Sequence, residues 1–116
     1  MRADRERRLD ILEAIEKIRG RASDRKDFFA DEMLQVWVIH HLQIIGEAAA
    51  RLSKQLRDRH PGIPWPDIVN LRNILVHQYF GIDLDEIWDT LTSDLAKLQT
   101  DINTILQELQ SPEQTF

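Results

Sequence analysis

Between Arg72 and Phe80 the chain sets a guanidinium, an amide, an imidazole and a phenol among apolar residues, as Arg72, Asn73, His77 and Tyr79. These types suit phosphate chemistry that needs no metal. An arginine fork binds two phosphate oxygens at once and stabilises the charge that builds on them in a transition state. A histidine titrates near neutral pH and can take or give a proton. Asn73 can orient the imidazole from one turn back, or donate to the substrate. Tyr79 can hydrogen-bond a phosphate or carry a modification. The reaction that fits this set is RNA cleavage, in which a ribose 2′-hydroxyl attacks the neighbouring phosphorus.

Helical geometry limits how the set can act. At about 100° per residue, Val69, Arg72, Val76 and Tyr79 fall on one stripe, while Asn73 and His77 share the next. Arg72 and His77, five apart, diverge by about 140° on a regular helix. They meet at one ligand through long side chains, through a local distortion, or through a partner chain that brings its own copy. A two-fold axis beside this helix would place two arginines and two histidines in one cleft. Glu47 can support the site by pairing with Arg72 across helices; a solvated carboxylate is the plainer alternative.

Four helices have to position these residues. The first carries Leu9, Ile11, Leu12, Ile15 and Ile18 at helical spacing, with Gly20 where a C-terminal cap would sit. Ser23 or Asp24 is the expected N-cap of a long second helix, from about Arg25 to about Ser53. Its apolar arc, with Leu34, Val38, His41 and Ile45 on one stripe and Phe29, Met33, Val36 or Trp37, His40 and Ile44 beside it, is too wide for one covering surface. A bundle core covers one side, and a second copy of the chain can cover the other. His40 and His41 point about 100° apart, a poor arrangement for a shared metal. Gly46 costs about 1 kcal/mol relative to alanine inside a helix, so its expected use is the close approach of another backbone.

Pro61, Gly62, Pro64 and Pro66 punctuate the stretch from Lys54 to Pro66. Pro66 fits the first turn of a third helix reaching about Gln78, with Ile63 and Trp65 pinning its start. The last helix follows a capping box of Asp83 and Glu86. Leu84, Trp88, Leu91, Leu95, Leu98, Ile102, Ile105 and Leu109 alternate spacings of four and three along it, a heptad seam. The reading is an all-α, antiparallel four-helix bundle that forms a homodimer: one domain over residues 1–110, and a flexible tail over 111–116.

Bulk composition narrows the function. A 116-residue chain with 42% apolar and 30% charged residues holds one modest core. Without cysteine there is no disulfide or thiolate chemistry. The charged start has no apolar signal region, and no run approaches the roughly 18 apolar residues of a membrane span. A cytoplasmic protein with no membrane partner and no cofactor is expected. A formal charge of −5 argues against a surface that binds nucleic acid everywhere, although Arg51, Lys54, Arg57, Arg59 and His60 fall close together. No metal-binding His-Glu-x-x-His, phosphate-cradling glycine loop or nucleophile elbow is present.

The run Arg72-Asn73-Ile74-Leu75-Val76-His77-Gln78-Tyr79 resembles the Arg-x4-His-x-Tyr motif of the HepT-like toxins, within the wider HEPN family of small helical ribonucleases. Ile45-Gly46-Glu47-Ala48-Ala49, Pro61-Gly62-Ile63-Pro64-Trp65, His77-Gln78-Tyr79-Phe80-Gly81 and Trp88-Asp89 are similar to HepT-like sequences too, so the likeness extends from the first helix to about Leu98. The resemblance implies a homodimeric bundle whose paired motifs face one cleft. It implies a metal-independent endoribonuclease that acts as the toxin of a toxin–antitoxin pair, with Arg72 and His77 catalytic and Asn73 supporting them. It also implies a cognate antitoxin, a minimal nucleotidyltransferase, that can transfer AMP to Tyr79. The competing readings are a non-catalytic helical dimer that binds a nucleotide or such a nucleotidyltransferase, and a plain dimerisation module.

Overall fold

Apolar stripes drive the helices together in a computed structural model that describes residues 4–73 and 84–110, with side chains through residue 107. Helix α1, Asp4–Arg21, buries Ile11, Leu12, Ile15 and Ile18 along one stripe. Leu9, expected on that stripe, is instead 41% exposed. The core position one turn before Ile11 and Leu12 belongs to Arg8, which is fully buried. Gly20 lies inside α1 rather than beyond its end.

The expected long second helix is two helices. Asp24 caps α2, Arg25–Ala30, by accepting from the Lys26 and Asp27 amides at 2.8 and 3.4 Å. At Asp31 the backbone leaves the helical region (φ −121°, ψ 100°), and its carboxylate accepts from the Leu34 amide to start α3, Glu32–Ala50. The break frees carbonyls that would otherwise lie unpaired. The buried Gln35 amide takes them up, donating to the Phe28 and Phe29 carbonyls at 3.0 and 3.2 Å. An N-capping carboxylate and a satisfied kink therefore outcompete continuation of the helix.

α3 ends at Ala50, short of the expected Ser53, because the Ser53 hydroxyl caps a further helix, α4, Lys54–Arg59, by accepting from the Leu56 amide at 3.1 Å. Asp4 ties the start of α1 to this junction, accepting from the Ser53 amide at 2.9 Å and the Ser53 hydroxyl at 2.6 Å. The start of α1 thus lies beside the end of α3, and the two run antiparallel. The lead-in to the third helix is pinned as expected: Ile63 and Trp65 are buried, and the Trp65 indole donates to the His60 carbonyl at 3.0 Å. Pro66 occupies the first turn of α5, Trp65–Val69. The helix then tightens into a 3₁₀ turn, Asn70–Asn73.

Beyond the undescribed stretch, α6, Leu84–Asp89, runs through a π-helical turn, Thr90–Asp94, into α7, Leu95–Gln110. The seam holds from Leu91 through Leu95, Leu98, Ile102 and Ile105, all buried. Ahead of it the π turn shifts the phase, so Ile87 takes the buried place while Leu84 and Trp88 are half-buried. Asp83 of the expected capping box, the side chain of Leu109, and the tail at 111–116 lie outside the described residues.

The architecture is all-α, with no strand among the described residues and no helix there long and apolar enough to cross a membrane. α3 is its centre. α1 packs along one side of it, and α5 and the 3₁₀ turn lie across another, while α7 closes the core against α1. The Arg19 guanidinium donates to Gln99 at 2.6 Å, joining the end of α1 to the start of α7.

Candidate functional site

Gly46 is what lets the Arg72 turn rest on α3. A Cβ there would overlap the Arg72 backbone nitrogen and come within 3.0 Å of the Leu71 carbonyl carbon and the Val69 carbonyl oxygen. Only a bare Cα admits the 3₁₀ turn at that depth. The close approach expected for Gly46 is thus made by the very turn that carries the candidate chemistry.

The next residue along α3 meets the arginine. Glu47 Oε1 lies 3.7 Å from Arg72 Nη1, and its Oε2 accepts from Arg51 Nε at 2.9 Å. The Arg72 side chain is 45% exposed and that of Glu47 49% exposed. A contact of 3.7 Å is long for a charge-assisted hydrogen bond, which closes to about 2.7–2.9 Å. Among the described residues, the carboxylate therefore orients the guanidinium without saturating its N–H fork. Asn73 is exposed and donates to Asn70 Oδ1 at 2.9 Å, bracing the turn across one 3₁₀ repeat. Arg72, Asn73 and Glu47 are thus brought to one place, with Arg51 added to them. Sequence reasoning left Arg51 in a loose basic cluster, yet its spacing of four from Glu47 was the available signal.

His77 and Tyr79 lie outside the described residues. The arithmetic separating Arg72 from His77 assumed a regular helix, and the 3₁₀ turn at Asn70–Asn73 departs from one. It advances about 120° per residue rather than about 100°. A local distortion, one of the three ways the pair could share a ligand, is present on the arginine side of the motif.

The adjacent histidines serve different ends. His41 is buried, its Nδ1 donates to the Trp37 carbonyl at 2.8 Å, and its ring lies 4.2 Å from the Trp37 ring. His40 is exposed. Among the described residues, no three histidine, aspartate or glutamate side chains converge as a metal site would need.

The turn has a second face. Asn70 and Leu71 border a groove of about 480 Å³ between α5 and the last helix, floored by Ile68, Leu95 and Leu98. Its rim carries Asp67, Glu86, Asp94 and Asp101 against the single cation Lys97. The turn therefore presents Arg72 to Glu47 of α3 and borders an acidic groove with Asn70 and Leu71.

Comparison with known proteins shows the family of the chain. Residues 11–105 match the family described as Ribonuclease HepT-like. The protein named Probable ribonuclease HepT from Thermococcus cleftensis is 39% identical over 92 residues, covering 78% of this chain and 84% of that one. A candidate RNase of Caldanaerobacter subterraneus subsp. tengcongensis is 35% identical over 94 residues, covering 81% and 82%. A Methanocaldococcus jannaschii protein, whose name joins a gamma-glutamylcyclotransferase to a candidate RNase, is 40% identical over 101 residues. That match takes in 85% of this chain and 46% of the longer protein, so the chain spans about half of that relative. No solved structure matches the chain significantly.

Proposed function

Because the chain belongs to the HepT-like ribonuclease family, we propose that it is a metal-independent endoribonuclease toxin whose site is built on the Arg72 turn. The observation that carries the reading is the seating of that turn on Gly46, with Glu47 holding an Arg72 guanidinium that remains half exposed. In the reaction, the 2′-hydroxyl of the substrate attacks the adjacent phosphorus and the 5′-oxygen leaves. Arg72 binds the non-bridging oxygens and stabilises their added charge. His77 moves a proton, either from the attacking hydroxyl or to the leaving oxygen. Asn73 supports the turn, and Glu47 sets the direction of the arginine.

A homodimer completes the site in this reading. Met33, Trp37, His40, Ile44 and Glu47 follow helical spacings of four and three along one outer face of α3. Met33 is 82% exposed there, while Trp37 and Ile44 are half-buried. A second copy packed on this stripe would cover exposed apolar surface and, because the stripe ends at Glu47, bring both Arg72 turns towards one cleft. The partner that restrains the activity is a minimal nucleotidyltransferase antitoxin, which transfers AMP to Tyr79.

Purified protein tests the reaction. Cleavage of a single-stranded RNA in the presence of EDTA should fall by about 10²-fold or more in Arg72→Ala, the scale for losing one preorganised donor to a developing oxyanion. His77→Ala should lose cleavage on a similar scale. Undiminished cleavage in Arg72→Ala would remove the reading. Co-expression with a nucleotidyltransferase should add AMP mass to the chain, and the addition should be lost in Tyr79→Phe.

A further inference from the structure

Charge in this acidic protein is unevenly placed around the Arg72 turn. Between Arg51 and Asn73 there are five lysines and arginines against two carboxylates. Between Leu84 and Gln107 there are five carboxylates against one lysine. Arg72 of the first set meets Glu47, while Asn70 and Leu71 of the same turn border a groove rimmed by Glu86, Asp94 and Asp101 of the second. Arg51 shares Glu47 with Arg72, and two residues after it Ser53 caps α4, which carries Lys54, Arg57 and Arg59. Asp67 adds a further carboxylate to the groove rim.

The basic side is only partly neutralised by the carboxylates among the described residues. Among the described residues, Arg57 Nε is buried without a hydrogen-bond partner. Under the start of α1, all three guanidinium nitrogens of the fully buried Arg8 are likewise without one among the described residues. Burial pushes the Arg8 guanidinium down from its ordinary value; Asp4 opposes that shift, while the charges of Arg5 and Arg59 add to it. The Arg59 charge thus reaches α1, and Asp4, the carboxylate that opposes the shift most, is held by Ser53. Lys54 pairs with Asp58, but both side chains are well exposed and such a pair yields readily to a competing anion.

We propose that the end of α3 and the length of α4 form the track along which single-stranded RNA reaches Arg72, its backbone phosphates lying on Arg51, Lys54 and Arg57. The assignment rests on the ribonuclease reading and adds to it a direction of approach. Charge complementarity selects this surface, and the shared carboxylate of Glu47 makes it continuous with the site. The acidic groove repels the same backbone, so the RNA leaves the turn without crossing α7.

Salt dependence of binding tests the track, measured by fluorescence anisotropy with a labelled single-stranded 2′-O-methyl oligoribonucleotide, which lacks the attacking hydroxyl. Each phosphate contact on a single strand contributes about 0.7 to the slope of log affinity against log salt. Lys54→Gln with Arg57→Gln should therefore make the slope shallower by about 1.4, and Lys54→Gln alone by about 0.7. The single variant changes a side chain that is 82% exposed and so keeps the fold. Asp94→Asn in the groove rim should leave the slope unaltered. A wild-type slope in the Lys54 and Arg57 variants, or a slope altered by Asp94→Asn, overturns the track and leaves the ribonuclease reading standing. Absence of salt-dependent binding by the wild-type protein overturns the track together with that reading.

Discussion

Two turns in this bundle depart from the α-helix in opposite directions, and they face each other across one groove. At Asn70–Asn73 the backbone tightens to a 3₁₀ turn; at Thr90–Asp94 it loosens to a π turn. The first is held by its surroundings, through the absence of a side chain at Gly46 and the brace from Asn73 to Asn70. The second carries hydroxyl bonds of its own. Thr90 donates to the Glu86 carbonyl at 3.1 Å and Thr92 to the Trp88 carbonyl at 3.0 Å, local bonds of the kind that bend a helix. A tertiary fit sets the position of a neighbouring side chain to a fraction of an ångström, whereas local hydroxyl bonds set only the phase of a seam. The turn that bears Arg72 is the one that needs positional accuracy.

The largest effect should come from filling the space under the tight turn. Gly46→Ala places a Cβ against the Arg72 amide and forces the turn off α3. Overpacking of this kind costs about 1–3 kcal/mol of stability. A displacement of about 1 Å at a positioning element costs on the order of 10²-fold in rate. RNA cleavage should therefore fall about 100-fold, while circular dichroism still shows a helical protein with a lowered melting temperature. A Gly46→Ala variant that cleaves at the wild-type rate would mean that the turn tolerates displacement, and the contrast between the two turns would lose its meaning.

That contrast was half legible from the residues. Gly46 in a helix interior announced a close approach, and the apolar spacing of the last helix announced a seam. Which backbone approaches Gly46 was not legible, because that pairing joins positions 26 apart through tertiary packing. Asp31 carried a capping signal, yet apolar residues continue the helical period across it and mask the break. Arg8 was hidden for a different reason. An arginine on a core-facing stripe reads from sequence as a surface residue, and only the cover over the start of α1 buries it. The short helix α4 offers a single buried apolar residue, Leu56, which is too little for periodicity to register. The π turn was invisible because spacings of four and three fit a regular heptad, and Ile87 enters the core only once the extra residue of that turn is counted. As for the site, the residue types were readable, whereas the sharing of Glu47 between Arg72 and Arg51 needed the fold.

A smaller effect should follow when the carboxylate beside the tight turn loses its charge. Exposed ion pairs are worth about 1 kcal/mol or less, which corresponds to roughly fivefold in rate. Glu47→Gln should lower kcat by about that factor, because Arg72 is then aimed less tightly. KM should stay level or fall, since the carboxylate no longer competes with the phosphate for the guanidinium. A raised KM with unchanged kcat would assign Glu47 to substrate binding and not to the direction of Arg72.

The loose turn should give the smallest effect on catalysis, and there the comparison is tested most cleanly. Thr92→Val keeps the branched shape but removes the hydroxyl that donates to the Trp88 carbonyl. One hydrogen bond at an exposed position contributes about 1 kcal/mol, so the melting temperature should drop by about 3–6 °C in a domain of this size. Cleavage by the folded protein should stay within about twofold of wild type, because Arg72 reaches α3 through Gly46 and not through the π turn. A loss of cleavage comparable to that of Gly46→Ala, at a temperature where both variants are folded, would show that the groove transmits the state of one turn to the other. The two turns would then act as a coupled pair across Asn70, Leu71, Thr90 and Asp94, which line the groove together.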